Sequence, residues 1–377
     1  MRIGILTHPL DYNYGCLLQA FALQKTLIEM GHEVVTINRY TDPHKSFCFL
    51  LRSWCSRFVK KTFKKADVSL VWNPTETLSI KEKLSLNTQK FVDRNIVNTG
   101  IVLPKDLPRI DNEYKFDAYV VGSDQVWLPH FCLNSFLDFV NRKNVIRLFY
   151  AASSGSESFA NYPELTNKCK ALSQQFVAIS VREESLIQTV KRSLGKDAIQ
   201  VLDPTLLLDK DDYLRACNVK INTDPVIFTY ILDKNDTKRK LVDIIQHKLR
   251  LPIVSGTVEK DYEIGKHMNI EDCIYPTVDS WIQNLNSAKF VVTDSFHGTC
   301  MSIIFRKPFV VVGNKARGIE RFNSVLSLFG LKNRLIETAD AFDDSLLANL
   351  DSEMITKILS LKRKESLGFL KQHLSLS

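Results

Sequence analysis

The sequence predicts an α/β fold built from two Rossmann-like domains that face each other across a cleft. Three observations carry that expectation. An apolar run over 2–7, an amphipathic stretch closed by Gly31 and a second apolar run over 34–37 give the βαβ order of a parallel, doubly wound sheet. Residues 289–306, KFVVTDSFHGTCMSIIFR, place a buried strand, a tight turn with a histidine and a short helix in direct succession. The chain has 377 residues, more than one ordinary core holds, and the polar stretch 209–224, rich in Asp, Asn and Lys, divides it. The expected domains are 1–210 and 222–342, with a helical tail over 343–377 that crosses back to the first.

The elements follow in order. Strand 2–7 leads through the loop 8–15 into a helix over 16–30, stopped by Gly31, and strand 34–37 comes next. From 41 to about 110 the alternation breaks, and a basic helical insertion is expected. Within it, 44–70 interleaves Phe47, Trp54, Phe58 and Phe63 with Arg52, Arg57, Lys60, Lys61, Lys64 and Lys65. Such a helix either makes peripheral contact with an anionic membrane or packs its apolar face on its own domain. A second helix is expected over 80–91. The α/β rhythm resumes with strands 117–121, 145–152, 176–180 and 199–202, and with helices over 164–174 and up to 194, where Gly195 stops the chain. The second unit runs through strand 225–230, helix 235–249, strand 252–254, helix 278–288, strands 289–293 and 308–312, and a helix over 319–329 closed by Gly330.

Composition excludes several functional classes. Hydrophobic content of 45% with 24% charged residues is that of a globular protein, and no apolar run reaches the roughly 18 residues of a membrane span. The N-terminus enters directly as a strand, so the expected location is cytoplasmic, at the inner face of the cell membrane if 44–70 touches lipid. The eight cysteines form no CxxC pair and no compact framework, so neither disulfides nor a zinc site is expected. A net charge of +8 suggests anionic ligands. It is too diffuse for nucleic acid, and no zinc-finger or RNP-type motif accompanies it.

Ligands of an open α/β sheet bind beyond the carboxyl ends of its strands. The first loop, HPLDYNYG, lacks the GxGxxG spacing, so no dinucleotide fingerprint is present. The residues expected at those edges are Asn13, Gly15, Asp124, Ser153, Ser154 and Arg182 in the first domain. The second offers Ser295, Phe296 and His297, with Arg317 and Arg321 just beyond strand 308–312. A helix N-terminus favours an anion, arginine is a fork for carboxylate or phosphate, and a histidine beside them can act as acid or base. Together they describe a site for a small, multiply charged anion. Each residue also has a structural reading. His297 can be a hydrogen-bonded residue next to a helix cap, and Asn13 and Gly15 a tight turn. Asp124 is either a base or ordinary turn chemistry. Arg182 can pair with Glu183 or Glu184, although sequence neighbours rarely pair well, and Arg317 and Arg321 can be solvated charges.

The residues also carry a resemblance. Asn13-Tyr14-Gly15 with Leu18-Gln19-Ala20, 121–127 (VGSDQVW), Tyr150-Ala151-Ala152-Ser153, Val181-Arg182, Leu202-Asp203-Pro204-Thr205 and 293–298 (TDSFHG) occur in an order and spacing similar to the polysaccharide pyruvyl transferase family, over most of the chain. The resemblance implies the two-domain fold called GT-B. It implies transfer of the pyruvyl group of phosphoenolpyruvate onto sugar hydroxyls of a polysaccharide or its lipid-linked precursor, as a cyclic ketal, with release of phosphate. The family's essential histidine falls on His297, and its phosphoenolpyruvate-binding arginine on Arg182. Ser295 stands where some members carry an arginine, so either Arg317 or Arg321 replaces that contact or the donor differs. Phosphoenolpyruvate is then a substrate, and no cofactor or metal is called for. Two other readings stay open: a GT-B glycosyltransferase using a nucleotide-sugar, and a non-catalytic saccharide- or anion-binding protein.

Overall fold

The computed structural model of the chain describes residues 1–40, 74–155, 159–219, 224–262, 268–313 and 318–375. The basic stretch 44–70 lies outside them. Twelve strands among the described residues form two sheets, parallel throughout. The first contains β1 (Arg2–Leu6), β2 (Glu33–Arg39), β3 (Asn98–Val102), β4 (Ala118–Asp124), β5 (Ile146–Ala152), β6 (Ala178–Val181) and β7 (Ile199–Gln200), in the order β3-β2-β1-β4-β5-β6-β7. The second contains β8 (Val226–Tyr230), β9 (Ile253–Ser255), β10 (Ala288–Thr293), β11 (Phe309–Val312) and β12 (Leu335–Ile336), in the order β12-β11-β10-β8-β9. Apolar runs make the central strands: β4 and β8 are buried along their whole length, as strands covered on both faces must be.

Each sheet reverses its winding once, and there the strand ends part to leave a crevice. In the first sheet this switch point lies between β1 and β4, and in the second between β8 and β10. The helix α1 (Tyr14–Glu29) leaves the first crevice. Asn13 caps it by accepting the N–H groups of Gly15 and Cys16, and beyond its end Gly31 adopts φ 88°. All residues from Tyr14 to Leu27 except Lys25 are buried along α1, because the helix is sandwiched between the two sheets. One apolar cluster therefore runs from Ile3 and Ile5 through Leu17 and Leu18 to Phe228, Trp281 and Met301. The Tyr14 ring stacks 5.7 Å from that of Trp281, and its hydroxyl donates to the Pro276 carbonyl at 2.8 Å.

Two expectations are corrected. The insertion expected over about 41–110 contains a strand of the sheet, since β3 pairs with β2 through Thr36–Asn98, Asn38–Ile101 and Arg39–Val102. As an edge strand with most side chains half-buried or exposed, its sequence NTGIV shows no apolar run. The helix expected over 80–91 is two helices, α2 (Pro74–Leu84) and α3 (Gln89–Asn95). Thr88 ends the break by donating its hydroxyl to the carbonyls of Ser85 and Asp11, binding the turn to the α1 loop. Helices α4 (Leu107–Tyr114) and α5 (Pro129–Ser135) were not foreseen, whereas α6 (Pro163–Ser173) and α7 (Ser185–Leu194) fall where they are expected. After β7, α8 (Lys210–Ala216) leads into the second sheet, whose helices are α9 (Asp236–Leu249), α10 (Val278–Ser287), α11 (Phe296–Ile304) and α12 (Glu320–Leu328).

The last helix, α13 (Ser352–Leu374), lies against the first sheet. Ser366 accepts the Leu202 N–H at 3.0 Å, and Arg363 donates to the Leu206 carbonyl and pairs with Asp209 at 2.6 Å. Among the described residues no helix is long and apolar enough to cross a membrane.

Candidate active site

The first sheet brings an acid–guanidinium cluster to its carboxyl edge. Asp124 ends β4 at φ 70°, a left-handed conformation costing a non-glycine residue roughly 1–3 kcal/mol. Two main-chain bonds hold it there, as its carbonyl accepts the N–H of Val126 at 2.7 Å and of Ser153 at 3.0 Å. Its carboxylate accepts the Cys16 thiol at 3.3 Å and lies 3.6 Å from Arg182 Nη1. Arg182 follows β6, where the chain bends. Its Nε donates to Glu183 Oε1 at 2.8 Å and its Nη1 to Asp203 Oδ2 at 3.3 Å. Asp203 is itself fixed by Ser123 Oγ at 2.7 Å and by the Thr205 hydroxyl and N–H at 2.7 and 3.0 Å. Ser153 Oγ donates to Glu183 Oε1 at 3.0 Å.

The second sheet supplies the histidine. Asp294, just after β10, accepts the N–H groups of Leu232 and Asp233 and the Lys238 ammonium at 2.7, 2.9 and 2.6 Å, which ties the loop after β8 to the switch point. Ser295 then caps α11 by accepting the Gly298 N–H. This cap aims the first turn at the first sheet. Phe296 lies beneath Arg182, whose guanidinium carbon is 4.1 Å from the ring centroid. His297 Nε2 reaches to 3.7 Å from Asp203 Oδ2, an ion pair when the ring is protonated and longer than a hydrogen bond. The imidazole fits because residue 15 is glycine: a Cβ there would stand 2.2 Å from His297 Nδ1.

Charge fixes the protonation of this cluster. Burial opposes ionisation of Asp124, yet His8, His297 and Arg182 overcome it and hold the carboxyl well below the usual range. Asp203 is lowered in the same way, against burial, by His297, Arg182 and the Ser123 hydroxyl. Arg182 stays charged because Glu183, Asp124 and Asp203 outweigh its burial. Burial and then Asp124 push the Cys16 thiol up, so it remains a donor. Among the buried side-chain atoms of the described residues that lack a hydrogen-bond partner are Arg182 Nη2, Glu183 Oε2 and His297 Nε2. All three belong to this one cluster, and orphaned buried polar atoms call for an explanation such as a ligand.

The structure thus brings Asp124, Ser153, Arg182, Ser295, Phe296, His297 and Gly15 together. Ser154, next in the chain to Ser153, is buried and joins none of these bonds. Asn13 sits at the mouth, exposed, as the cap of α1. Arg321 lies in the first turn of α12, its guanidinium carbon 5.1 Å from the Phe322 ring. One turn on, Ser324 of the same helix accepts from Gln200 Nε2 at 2.8 Å and from the Glu184 N–H at 3.4 Å. Arg317 lies outside the described residues. Arg182 is not a free anion grip, since Nε and Nη1 are committed to carboxylates, and the neighbour pair with Glu183 is made after all. Because the chain turns after β6 instead of continuing extended, successive side chains reach the same side. Sequence reasoning gave no site role to Asp203, Glu183 or Cys16. Asp-Pro-Thr reads as a turn, and only the sheet order shows that Asp203 ends next to both Arg182 and His297.

The family model for polysaccharide pyruvyl transferase matches residues 13–316. This chain belongs to the polysaccharide pyruvyl transferase family. The matched span holds Gly15, the acid cluster of the first sheet and His297 of the second, so the cluster is a feature of a transferase family member. Among curated proteins none matches the sequence. Solved structures match in fold: the UDP-GlcNAc 2-epimerase of Methanocaldococcus jannaschii, in complex with UDP-GlcNAc and UDP, is 12% identical, with 99% of each chain covered and a TM-score of 0.51. A putative UDP-N-acetylglucosamine 2-epimerase from Listeria monocytogenes is 10% identical, covering 99% of this chain and 91% of its own, at 0.50. The likeness is one of architecture, the two facing Rossmann-like domains of the GT-B fold.

Proposed function

We propose that this pyruvyl transferase family member moves the pyruvyl group of phosphoenolpyruvate onto two hydroxyls of a saccharide, forming a cyclic ketal and releasing phosphate. The observation that carries this reading is the meeting of His297 and Arg182, from opposite sheets, on Asp203, with a nitrogen of each left unpartnered. Protonation of the donor's methylene carbon makes a methyl group and an oxocarbenium-like centre. A first sugar hydroxyl adds its oxygen there and loses its proton. The phosphate ester bond then breaks, and a second hydroxyl closes the ring. One hydroxyl proton ends on the methyl carbon and the other on phosphate.

His297 delivers and recovers the proton. Asp203, bonded to Ser123 and Thr205, orients the imidazole. Asp124 serves as a counter-charge and not as the base, because a carboxyl held well below its usual range is a poor proton acceptor and this one is occupied by Cys16 and Arg182. Three carboxylates face one guanidinium here, so an anionic donor needs further positive charge. Imidazolium, the first-turn N–H groups of α11, Arg182 Nη2 and Arg321 supply it. Incubation with phosphoenolpyruvate and methyl glycosides of galactose, mannose and glucose tests the reading. A product heavier by one pyruvic acid less one water, with equimolar phosphate, is the expected outcome. Unchanged phosphoenolpyruvate with every acceptor, or sugar transfer from a nucleotide-sugar instead, overturns it.

A further inference from the structure

Beside the His297 cluster, a cleft of about 250 Å³ opens between the loop before α1 and the loops that follow β8 and β9. Its working surface is Tyr12, Asn13, Lys234, Thr257, Asp261 and Tyr275. It is joined to the cluster on both sides. Asn13 accepts the N–H of Gly15, the residue against which the imidazole lies, at 3.0 Å. Leu232, another wall residue, is held by Asp294, three residues before His297.

The chemistry of the cleft is not that of the anion cluster. Tyr12 and Tyr275 stack with ring centroids 4.6 Å apart at 21°. The Tyr275 hydroxyl donates to Asp261 Oδ1 at 2.9 Å, which orients the carboxylate and leaves its second oxygen as an acceptor. The Lys234 ammonium donates to the carbonyls of Val258 and Glu259 at 2.7 and 2.6 Å, and among the described residues no arginine lines the cleft. Among the described residues this surface offers half-buried aromatic rings, an acidic acceptor, an amide and a hydroxyl, and its lining ammonium is already hydrogen-bonded to carbonyls, a set that suits a neutral polyol.

We infer that this cleft seats the acceptor as a pyranose ring. One apolar C–H face rests on the tyrosine pair, and ring hydroxyls bond to Asp261 and Asn13, so that the hydroxyls to be pyruvylated point past Asn13 toward His297. The inference rests on the function proposed above and locates its second substrate.

Saturation-transfer NMR on the full chain tests it, using methyl β-galactoside, methyl α-mannoside and methyl β-glucoside, with UDP as a separate arm. Binding of at least one glycoside to the wild type is expected, weakened about fivefold or more in both Tyr12→Ala and Asp261→Asn, the scale of one lost hydrogen bond or stacking contact. The thermal shift given by phosphoenolpyruvate should be the same in both variants as in the wild type, which also shows that they fold. Absence of glycoside binding to the wild type, undiminished binding in both variants, or displacement of the glycoside by UDP overturns the assignment. Loss of glycoside binding in the variants without any phosphoenolpyruvate shift in any protein supports this cleft and counts against the donor alone.

Discussion

At the scale of single residues, the site depends on a close approach that one missing methyl group permits. Gly15 leaves room for the His297 ring, and a Cβ at position 15 would meet Nδ1 at 2.2 Å. Gly15→Ala should therefore push the imidazole off Asp203. A misplacement of this kind costs about 100-fold in turnover, with a stability loss of about 1–3 kcal/mol from overpacking against the buried ring. Phosphate release compared with the urea midpoint checks this, and a variant with wild-type turnover would show that the contact is incidental. The sequence pointed to both members of this pair, as the loop before α1 and the turn after strand 289–293, but not to their contact. Pairing of Glu183 with Arg182 is disfavoured for neighbours in an extended chain, and the turn after β6 makes the 2.8 Å bond.

At the scale of elements, the turn between β10 and α11 is braced from beneath. Lys238 and Asp294 are both buried, and their ion pair at 2.6 Å carries the loop after β8 with it. Asp294→Ala leaves an uncompensated ammonium inside the second domain and should cost about 3–5 kcal/mol. Adding Lys238→Met should recover much of that loss. Urea unfolding of the single and double variants measures it, and equal midpoints for the two would contradict a buried-charge origin. Ser295 belongs to the same brace as the cap of α11, with its hydroxyl on the Gly298 N–H. The elements legible in advance were those with continuous apolar runs, such as β4, β8 and β10. Strand β3 was not, because an exposed edge strand needs no such run, and the break between α2 and α3 rests on Thr88 bonding to a loop far away in sequence.

At the scale of the whole molecule, the acid cluster ties the two sheets to each other through Asp203 and His297. The folded-state pKa values of Asp124 and Asp203 lie below the unfolded-chain value of 3.8. Their contribution to stability is therefore complete above that value and is lost as pH falls through the folded values. The urea midpoint of the wild type should drop steeply between about pH 4 and about pH 2, and that of Asp203→Asn, already lower, should fall less over the same window. Parallel curves would place the acid-labile charge elsewhere. The two facing sheets were readable from the repeated strand–turn–helix units. The identity of the residue joining them was not, since only the order of strands in three dimensions sets Asp203 between a guanidinium and an imidazole. The central claim is that these two halves form one site acting on phosphoenolpyruvate, with His297 moving the proton. Acceptor-dependent phosphate release by His297→Gln tests it most directly. The expected result is a loss of about 100-fold to 10,000-fold in a variant that still unfolds cooperatively in urea, whereas release at the wild-type rate would contradict the account.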